Sequence, residues 1–362
     1  MNSAVTEEIK KRDIRKLAPE AIKAFLLEHG EKPFRAKQIH EWLWQKSARS
    51  FDEMTNLSKA TRELLKQHFN ILPVAVDTRQ ISSDRTIKST FKLHDGHLIE
   101  GVLIPIDGNV PRGEALRARM TACVSSQVGC SLSCKFCATG YMDRKRNLDA
   151  AEIYDQVVAI RDQASDNYGE TLTNIVYMGM GEPLLNYKNV LQSIEHITSE
   201  KGLNMSPRRI TVSTAGIAKM IKKLGDDQVK FNLALSLHAA NDKKRDQIMP
   251  INEANSLESL KEALQYFYKK TRTRVTFEYI VFHHFNDSLQ DAAELYEFSK
   301  VVPCKINLIE YNPISEASFR NAEGDKIDAF ADFLENKGLT VNVRRSRGKD
   351  IDAACGQLAN KK

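Results

Sequence analysis

What this sequence lacks narrows the class of protein before any motif is considered. No apolar run is long enough to span a bilayer, and the first residues, MNSAVTEEIKKRDIRK, lack the apolar stretch of a signal peptide. Internal repeats and low-complexity segments are also absent. We therefore expect a cytoplasmic protein without membrane contact. Its six cysteines are poor candidates for a disulfide framework in that compartment and better candidates for metal binding or redox chemistry.

The composition is that of an ordinary globular protein. A hydrophobic fraction of 42% and a charged fraction of 28% argue against a disordered chain, and 362 residues allow one large domain with an appendage. The net charge of +6 is compatible with a nucleic-acid partner. Basic residues gather in three runs, which predict either phosphate contacts or solvated surface: Lys10 to Lys16, Arg144 to Arg146, and Arg344 to Lys349.

Periodicity divides the chain into four predicted parts. Residues 1–74 have apolar residues at helical spacing, which predicts a small helical domain. Residues 75–116 contain strand-like stretches around Asp95-Gly96, which predicts a β-hairpin extension. Residues 117–346 alternate strands and helices in six βα units, so we expect an α/β fold with a partial (β/α)6 barrel. Residues 347–362 form a polar tail.

Three cysteines fall within eight residues in the loop after the first barrel strand. Cys130, Cys134 and Cys137 make up the string CSLSCKFC, and clustered thiolates are the natural ligands of iron–sulfur clusters. Zinc is an alternative, but a structural zinc site normally closes with four ligands and the local fourth is missing. Three ligands on a four-iron cluster leave one iron open for a chelating substrate.

This C-x3-C-x2-C string, with Phe136 before its last cysteine, resembles the radical S-adenosylmethionine (SAM) superfamily. The resemblance implies that the amine and carboxylate of SAM chelate the open iron. It also implies that an electron from the reduced cluster cleaves SAM to a 5′-deoxyadenosyl radical. A reducing electron donor such as flavodoxin would supply that electron.

Four further strings resemble the RlmN-type methyltransferases: VSSQVGC, MGMGEPLLN, ALSLHA and RGKDIDAACGQLA. That family methylates carbon 2 of an adenine in 23S ribosomal RNA and in certain transfer RNAs. The resemblance covers nearly the whole chain, including GEKPFRAKQIHEWLW near the N-terminus. It implies an RNA partner, which the helical domain of residues 1–74 is expected to bind, two molecules of SAM per turnover and one 4Fe–4S cluster. We expect a monomer.

Polar residues at the ends of the predicted barrel strands match the ligand positions of the family. A glycine lets backbone approach a ligand, and a carboxylate can hold the cationic amine of methionine. Each residue taken alone is more typical of a helix cap or a satisfied core polar group. The SAM contacts that the resemblance implies are Gly181, Glu182, Ser213, Ser236, Leu237 through its backbone, His238 and Asn312.

The resemblance also gives roles to three catalytic residues. Cys355 in the tail would be methylated by one SAM, and the methyl group, after loss of a hydrogen atom, would add to the adenine. Glu100 would accept the proton from carbon 2, and Cys123 would release the RNA by forming a transient disulfide with Cys355. Cys304 matches no family position and is predicted to be structural.

Three other functions stay open at this stage. A Cfr-type enzyme uses the same cysteines to methylate carbon 8 of adenine, although Pro183 and the helical N-terminal domain favour carbon 2. A zinc-stabilised RNA-binding protein without catalysis and a radical enzyme that acts on a small molecule or peptide are the others. The segment 106–122 is longer than the usual link of the family, and the sequence does not say whether it contacts RNA.

Overall fold

The computed structural model describes residues 11–106 and 119–360 of the protein. The α-helices are α1 Pro19–Glu28, α2 Arg35–Trp44, α3 Lys59–His68, α4 Ala150–Tyr168, α5 Tyr187–Thr198, α6 Ala218–Asp226, α7 Asp242–Ile248, α8 Leu257–Thr271, α9 Leu289–Ser299 and α10 Gly324–Asn336. The strands are β1 Arg12–Asp13, β2 Phe69–Asn70, β3 Ala75–Ile81, β4 Ile87–Lys92, β5 Leu98–Ile106, β6 Arg119–Cys123, β7 Gln127–Val128, β8 Arg146–Asn147, β9 Leu172–Tyr177, β10 Ile210–Thr214, β11 Asn232–Ser236, β12 Val275–Val281, β13 Cys304–Glu310 and β14 Val341–Arg344.

Parallel strands form the centre of the molecule, as the alternation of strands and helices predicts. Ten strands pair in the order β3, β4, β5, β6, β9, β10, β11, β12, β13, β14, and those from β6 onward are parallel. The predicted α/β fold with a partial barrel is therefore confirmed, and β14 adds a seventh parallel strand. The core lies between these strands and the helices that connect them, where Val212, Leu233 and Phe277 have no exposed surface.

The antiparallel strands form a larger sheet than the predicted hairpin. The turn at Asp95-Gly96 joins β4 to β5, as expected, but β3 also pairs with β4. Strand β5 then pairs antiparallel with β6, from Val102 opposite Cys123 to Ile106 opposite Arg119. The extension is thus three strands that continue the barrel sheet, which brings residues of β5 beside the first barrel strand.

The helical segment near the N-terminus is fixed to helix α4. Pro19 begins α1, and the Ser58 hydroxyl accepts the backbone N–H of Thr61 at the start of α3. Arg15, counted among the basic surface run, is 5% exposed and bridges the carboxylates of Asp13 and Asp155 at 2.9 Å each. That part of the surface prediction is wrong, because Arg15 is a buried structural cation.

The structure tests only part of the remaining predictions, which concern the domain boundaries, the segment 106–122 and membrane spans. The division of the chain into domains at residues 74, 116 and 346 stays a prediction. Of the long segment 106–122, residues 119–122 belong to β6, and 107–118 lie outside the described residues. No helix within 11–106 or 119–360 combines the length and the apolar character needed to cross a membrane.

Candidate active site

The three cysteines lie on one tightly turned loop at the carboxyl end of β6. The backbone N–H of Cys137 donates to the carbonyl of Cys134 at 3.2 Å, and Ser133 takes a left-handed φ of 54°. Burial raises the pKa of the Cys134 thiol well above its ordinary value, and the nearby Cys137 and Cys130 raise it further. The three thiols are thus close enough to affect one another electrostatically, so the loop does bring them together.

The donor set fits a four-iron cluster better than a single zinc ion. A structural zinc site normally has four protein ligands, whereas this loop supplies three thiols. Thiolates are the usual ligands of iron–sulfur clusters.

Gly181 and Glu182 lie beside this loop. Gly181 packs against a neighbouring side chain, and Glu182 accepts hydrogen bonds from the backbone. Gly181 has a φ of +94°, and a Cβ there would meet the side chain of Gln127 at 2.4 Å. The carboxylate of Glu182 accepts the backbone N–H of Leu184 at 2.9 Å and of Ala215 at 2.8 Å. Glycine is therefore required for packing against Gln127, and Glu182 already links the ends of β9 and β10. The side chain of Thr214 also hydrogen-bonds to this carboxylate, and a carboxylate can accept about four hydrogen bonds in total.

The predicted contacts on β10 and β11 are close together. The hydroxyls of Ser213 and Ser236 lie 3.2 Å apart. Just beyond β11, His238 accepts the N–H of Ile280 through Nδ1 at 3.1 Å, and burial lowers its pKa to about 3. Its ring contacts Phe136 of the cysteine loop edge-on, with ring centroids 4.7 Å apart. A neutral imidazole therefore joins the strand ends to the cysteine loop.

Arg245 on α7 is a site residue that the sequence analysis missed. It has no exposed surface, and its guanidinium donates to the carbonyls of Leu237 at 3.1 Å and Ala215 at 2.6 Å. It also lowers the pKa of Cys134. Arg245 therefore fixes the ends of β10 and β11 and places a positive charge near the cysteine loop. A seven-residue helix gives too little periodicity to be recognised, so no sequence signal pointed to this arginine.

The tail that carries Cys355 lies across the cysteine loop. The N–H of Ala138 donates to the carbonyl of Gly356 at 2.7 Å, and the Thr139 hydroxyl donates to the carbonyl of Leu358 at 2.5 Å. Asn312, predicted as a SAM contact, donates to the carbonyl of Cys355 at 3.3 Å. These bonds hold Cys355, which is exposed to solvent, next to the loop of the three cysteines.

Cys123 and Cys355 form an electrostatically coupled pair of free thiols. Burial, and to a smaller extent the neighbouring Cys355, raise the pKa of Cys123 to about 12. Although Cys355 as a whole residue is exposed, desolvation of its thiol raises its pKa to about 11, while Arg344 opposes that change. Cys304 is separate from both: it is buried, and its S–H donates to the carbonyl of Ser299 at 3.5 Å.

Glu100 on β5 connects the extension to the tail. Its side chain is 1% exposed, and Oε2 accepts the N–H of Ala359 at 2.9 Å. Its Oε1 lies 3.8 Å from the ammonium of Lys88 and has no hydrogen-bond partner. Burial raises the pKa of Glu100, and Lys88 opposes this rise. A desolvated carboxylate with one unused oxygen has the character of a general base.

Several cations of the predicted phosphate-binding runs are engaged within the protein. Arg146 pairs with Asp95 and with Glu152, and Arg345 pairs with Glu310 at 2.8 Å. Arg144 is exposed and contacts only a neighbouring amide among the described residues. The surface predicted for RNA phosphates is therefore smaller than the count of basic residues indicates.

Comparison with known proteins agrees with this geometry. Residues 13–71 match the family described as the ribosomal RNA large subunit methyltransferase N-terminal domain, and residues 124–297 match the radical SAM superfamily. The chain is 64% identical to the probable dual-specificity RNA methyltransferase RlmN of Cytophaga hutchinsonii, over 98% of this chain and 94% of that protein. It is 55% identical to the protein of the same name from Christiangramia forsetii, over 97% of each. A crystal structure of a radical SAM methyltransferase from Sphaerobacter thermophilus superposes with a TM-score of 0.87 at 38% identity, covering 96% of this chain and 99% of that one.

Proposed function

The chain belongs to the RlmN family of radical SAM RNA methyltransferases, and we propose that it methylates carbon 2 of an adenine in 23S ribosomal RNA and in transfer RNA. Carbon 2 of adenine is electron-poor and has no electron pair with which to attack a sulfonium methyl group. A radical route is therefore needed, and a radical SAM enzyme provides one with its 4Fe–4S cluster and SAM. When bound, these cofactors supply the methyl group and the radical that activates it.

In this proposal Cys130, Cys134 and Cys137 hold the cluster. The polar residues at the strand ends then hold SAM: Gly181, Glu182, Ser213, Ser236, Leu237, His238 and Asn312. The neutral His238, whose pKa is lowered to about 3, adds no positive charge beside a cationic cofactor. Arg245 acts as a positioning residue, because its guanidinium fixes the carbonyls at the ends of β10 and β11.

Three residues of the chain carry out the remaining steps of the proposed reaction. Cys355 carries the methyl group as a thioether and then joins the RNA covalently through that carbon. Glu100 takes the proton from carbon 2 of the adenine. The thiolate of Cys123 attacks the sulfur of Cys355, so an S–S bond forms while the S–C bond to the base breaks. The carbon keeps the electron pair of the broken bond and takes a proton to become the methyl group. A reductant then returns the disulfide to two thiols. Two molecules of SAM are consumed in this sequence.

The observation that carries the proposal is the coupling of Cys123 with Cys355 beside the cysteine loop. A cluster-binding enzyme for a small substrate has no need of two further free thiols at the same site. Here a tail more than two hundred residues away in sequence is hydrogen-bonded to Ala138 and Thr139, and its Cys355 lies near enough to Cys123 to raise the pKa of that thiol. This arrangement supports a covalent intermediate that is released by thiol attack.

The test is RNA methylation by anaerobically purified, cluster-loaded protein with SAM, a reductant and unmodified RNA, followed by mass spectrometry of the digested nucleosides. Wild type should form 2-methyladenosine, Cys355→Ala none, and Cys123→Ala should accumulate RNA bound covalently to protein. Cys304→Ala is the matched control, because it also removes a buried thiol but lies outside the site. Methylation at carbon 8, or cleavage of SAM with unmodified RNA, would contradict the proposal.

The RNA substrates are separated in the same assay. Ribosomal RNA fragments and transfer RNA, each lacking the modification, are supplied one at a time. Methylation of both is expected from a dual-specificity enzyme. If only one of them is methylated, the proposal of two substrate classes is wrong, while the proposed chemistry stands.

A further inference from the structure

A second group of metal-binding side chains lies in the loop between β12 and α9, apart from the three cysteines. His283, His284 and Asp287 each offer a ligand atom, and these atoms all lie within 4.8 Å of one another. The two imidazole centroids are 3.8 Å apart. The catalytic proposal gives none of these residues a role.

One ring nitrogen in this group is already desolvated without a partner. Nδ1 of His283 is buried and has no hydrogen bond, which is unfavourable for a polar atom. His284 takes a left-handed φ of 54°, a backbone conformation that is uncommon outside glycine and asparagine. A bound cation would give Nδ1 of His283 a partner. The left-handed backbone at His284 accompanies the close approach of the two successive imidazole rings.

The loop is held rigidly by the residue between these ligands. The side chain of Asn286 accepts the N–H of Phe282 at 2.7 Å and donates to the carbonyls of His238 at 2.7 Å and Ile280 at 2.8 Å. Asn286 itself is fully buried. The three ligand residues therefore project from a preformed turn, so little conformational entropy would be lost when they bind an ion.

Lys326 pairs with the carboxylate of Asp287, to which a metal ion would also bind. The ammonium of Lys326 lies 3.2 Å from Oδ2 of Asp287, the same oxygen that accepts the N–H of His284 at 3.0 Å. A cavity of about 480 Å³ adjoins the group and is lined by His284, Asp287, Lys326 and Asp291 among others. The cavity leaves space for Lys326 to move away and for water to complete a coordination shell.

We propose that His283, His284 and Asp287 bind a divalent transition-metal ion of the zinc class, with water as the remaining ligand. Two imidazoles and one carboxylate form a donor set that suits zinc, and sites with three protein ligands keep a position for water. Alkaline-earth ions prefer sites made only of oxygen donors and are not expected here.

The test uses cluster-loaded protein dialysed against Zn²⁺, with zinc and iron per chain measured by mass spectrometry. The expected result is about one zinc per chain in wild type and about one fewer in the double variant His283→Asn, His284→Asn, with iron unchanged. The matched control is His29→Asn, His68→Asn, which removes a surface histidine pair with ring centroids 4.9 Å apart and should keep the zinc. Equal zinc in wild type and the first double variant overturns the proposal, and so does equal loss in the two double variants.

A charge variant adds a second criterion. Lys326→Met removes the cation that competes for Asp287, so zinc should bind more tightly than in wild type in calorimetric titration. Asp287→Asn should bind zinc more weakly, and Ca²⁺ should give no heat at this site in either protein. An unchanged affinity in Lys326→Met would mean that zinc binds elsewhere.

Discussion

Replacing Glu100 by glutamine tests the proposed base with little change in shape. The amide oxygen of glutamine can still accept the N–H of Ala359, which the carboxylate accepts at 2.9 Å, so the tail keeps its anchor. Only the ability to take a proton is lost, and positioned general bases contribute roughly a hundredfold to ten-thousandfold in rate. Glu100→Gln should therefore form 2-methyladenosine slower by about that factor, while RNA bound covalently to protein accumulates.

A second variant, Lys88→Met, tests the same base through its pKa. Burial raises the pKa of Glu100 and Lys88 opposes the rise, so removing the cation should raise the pKa further. The ammonium lies 3.8 Å from Oε1 of Glu100, close enough for its charge to favour the carboxylate form. A base works only when deprotonated, so activity falls as the pH drops through this pKa. Lys88→Met should therefore move that acidic limb toward higher pH.

The assay is single-turnover methylation of RNA as a function of pH, with release of covalently bound RNA followed on denaturing gels. The acidic limb should be present in wild type, displaced upward in Lys88→Met and absent from the residual rate of Glu100→Gln. The reasoning is refuted if Glu100→Gln releases product at the wild-type rate. It is also refuted if Lys88→Met leaves the pH profile where it was.

Three further variants test the tail and the buried ion pairs. Asn312→Ala removes the amide that donates to the carbonyl of Cys355 at 3.3 Å; a loss of about 1 kcal/mol should lower the methylation rate roughly fivefold with iron content unchanged. Gly356→Ala should lower activity because its φ is +85° and the new Cβ would lie 3.1 Å from a carbonyl oxygen, whereas Gly338→Ala, at +83° with open space around it, should lower only stability. Arg15→Met leaves the buried Asp13 and the part-buried Asp155 without their cation and should lower the free energy of unfolding by about 3–5 kcal/mol in urea titrations. A loss below about 1 kcal/mol would show that this pairing is not structural.

The long helices and the order of the strands could be predicted because their signals are local. The alternation of strands and helices over residues 117–346 is predicted from periodicity, and α8 at Leu257–Thr271 is one of the helices that the structure has there. The Asp95-Gly96 turn is likewise encoded in adjacent residues, and β4 and β5 meet there. Periodicity and turn chemistry act over a few residues, so a single sequence displays them.

The parts that could not be predicted depend on partners distant in sequence. In the sequence, Arg15 looks like a surface cation, because Asp155, with which it hydrogen-bonds, is 140 residues away. In the sequence, Arg245 is one charge among several in a polar stretch, and only the folded structure shows that it is buried at the strand ends. The identities of the candidate cysteines follow from their spacing and from family resemblance, but the contact of the tail with Ala138 does not. Pairings of this kind exist only after the chain has folded.

The attachment of the tail has a consequence for the order of folding. The side chain of Asn360 donates to the carbonyl of Leu98, 262 residues earlier, and Ala359 reaches Glu100 across a similar separation. Closing such long loops is entropically unfavourable until the sheet that receives them exists, and a chain leaves the ribosome N-terminus first. In the proposed function, the barrel could thus form and acquire its cluster while Cys355 is still absent from the site, so the thiol proposed to carry the methyl group would arrive last.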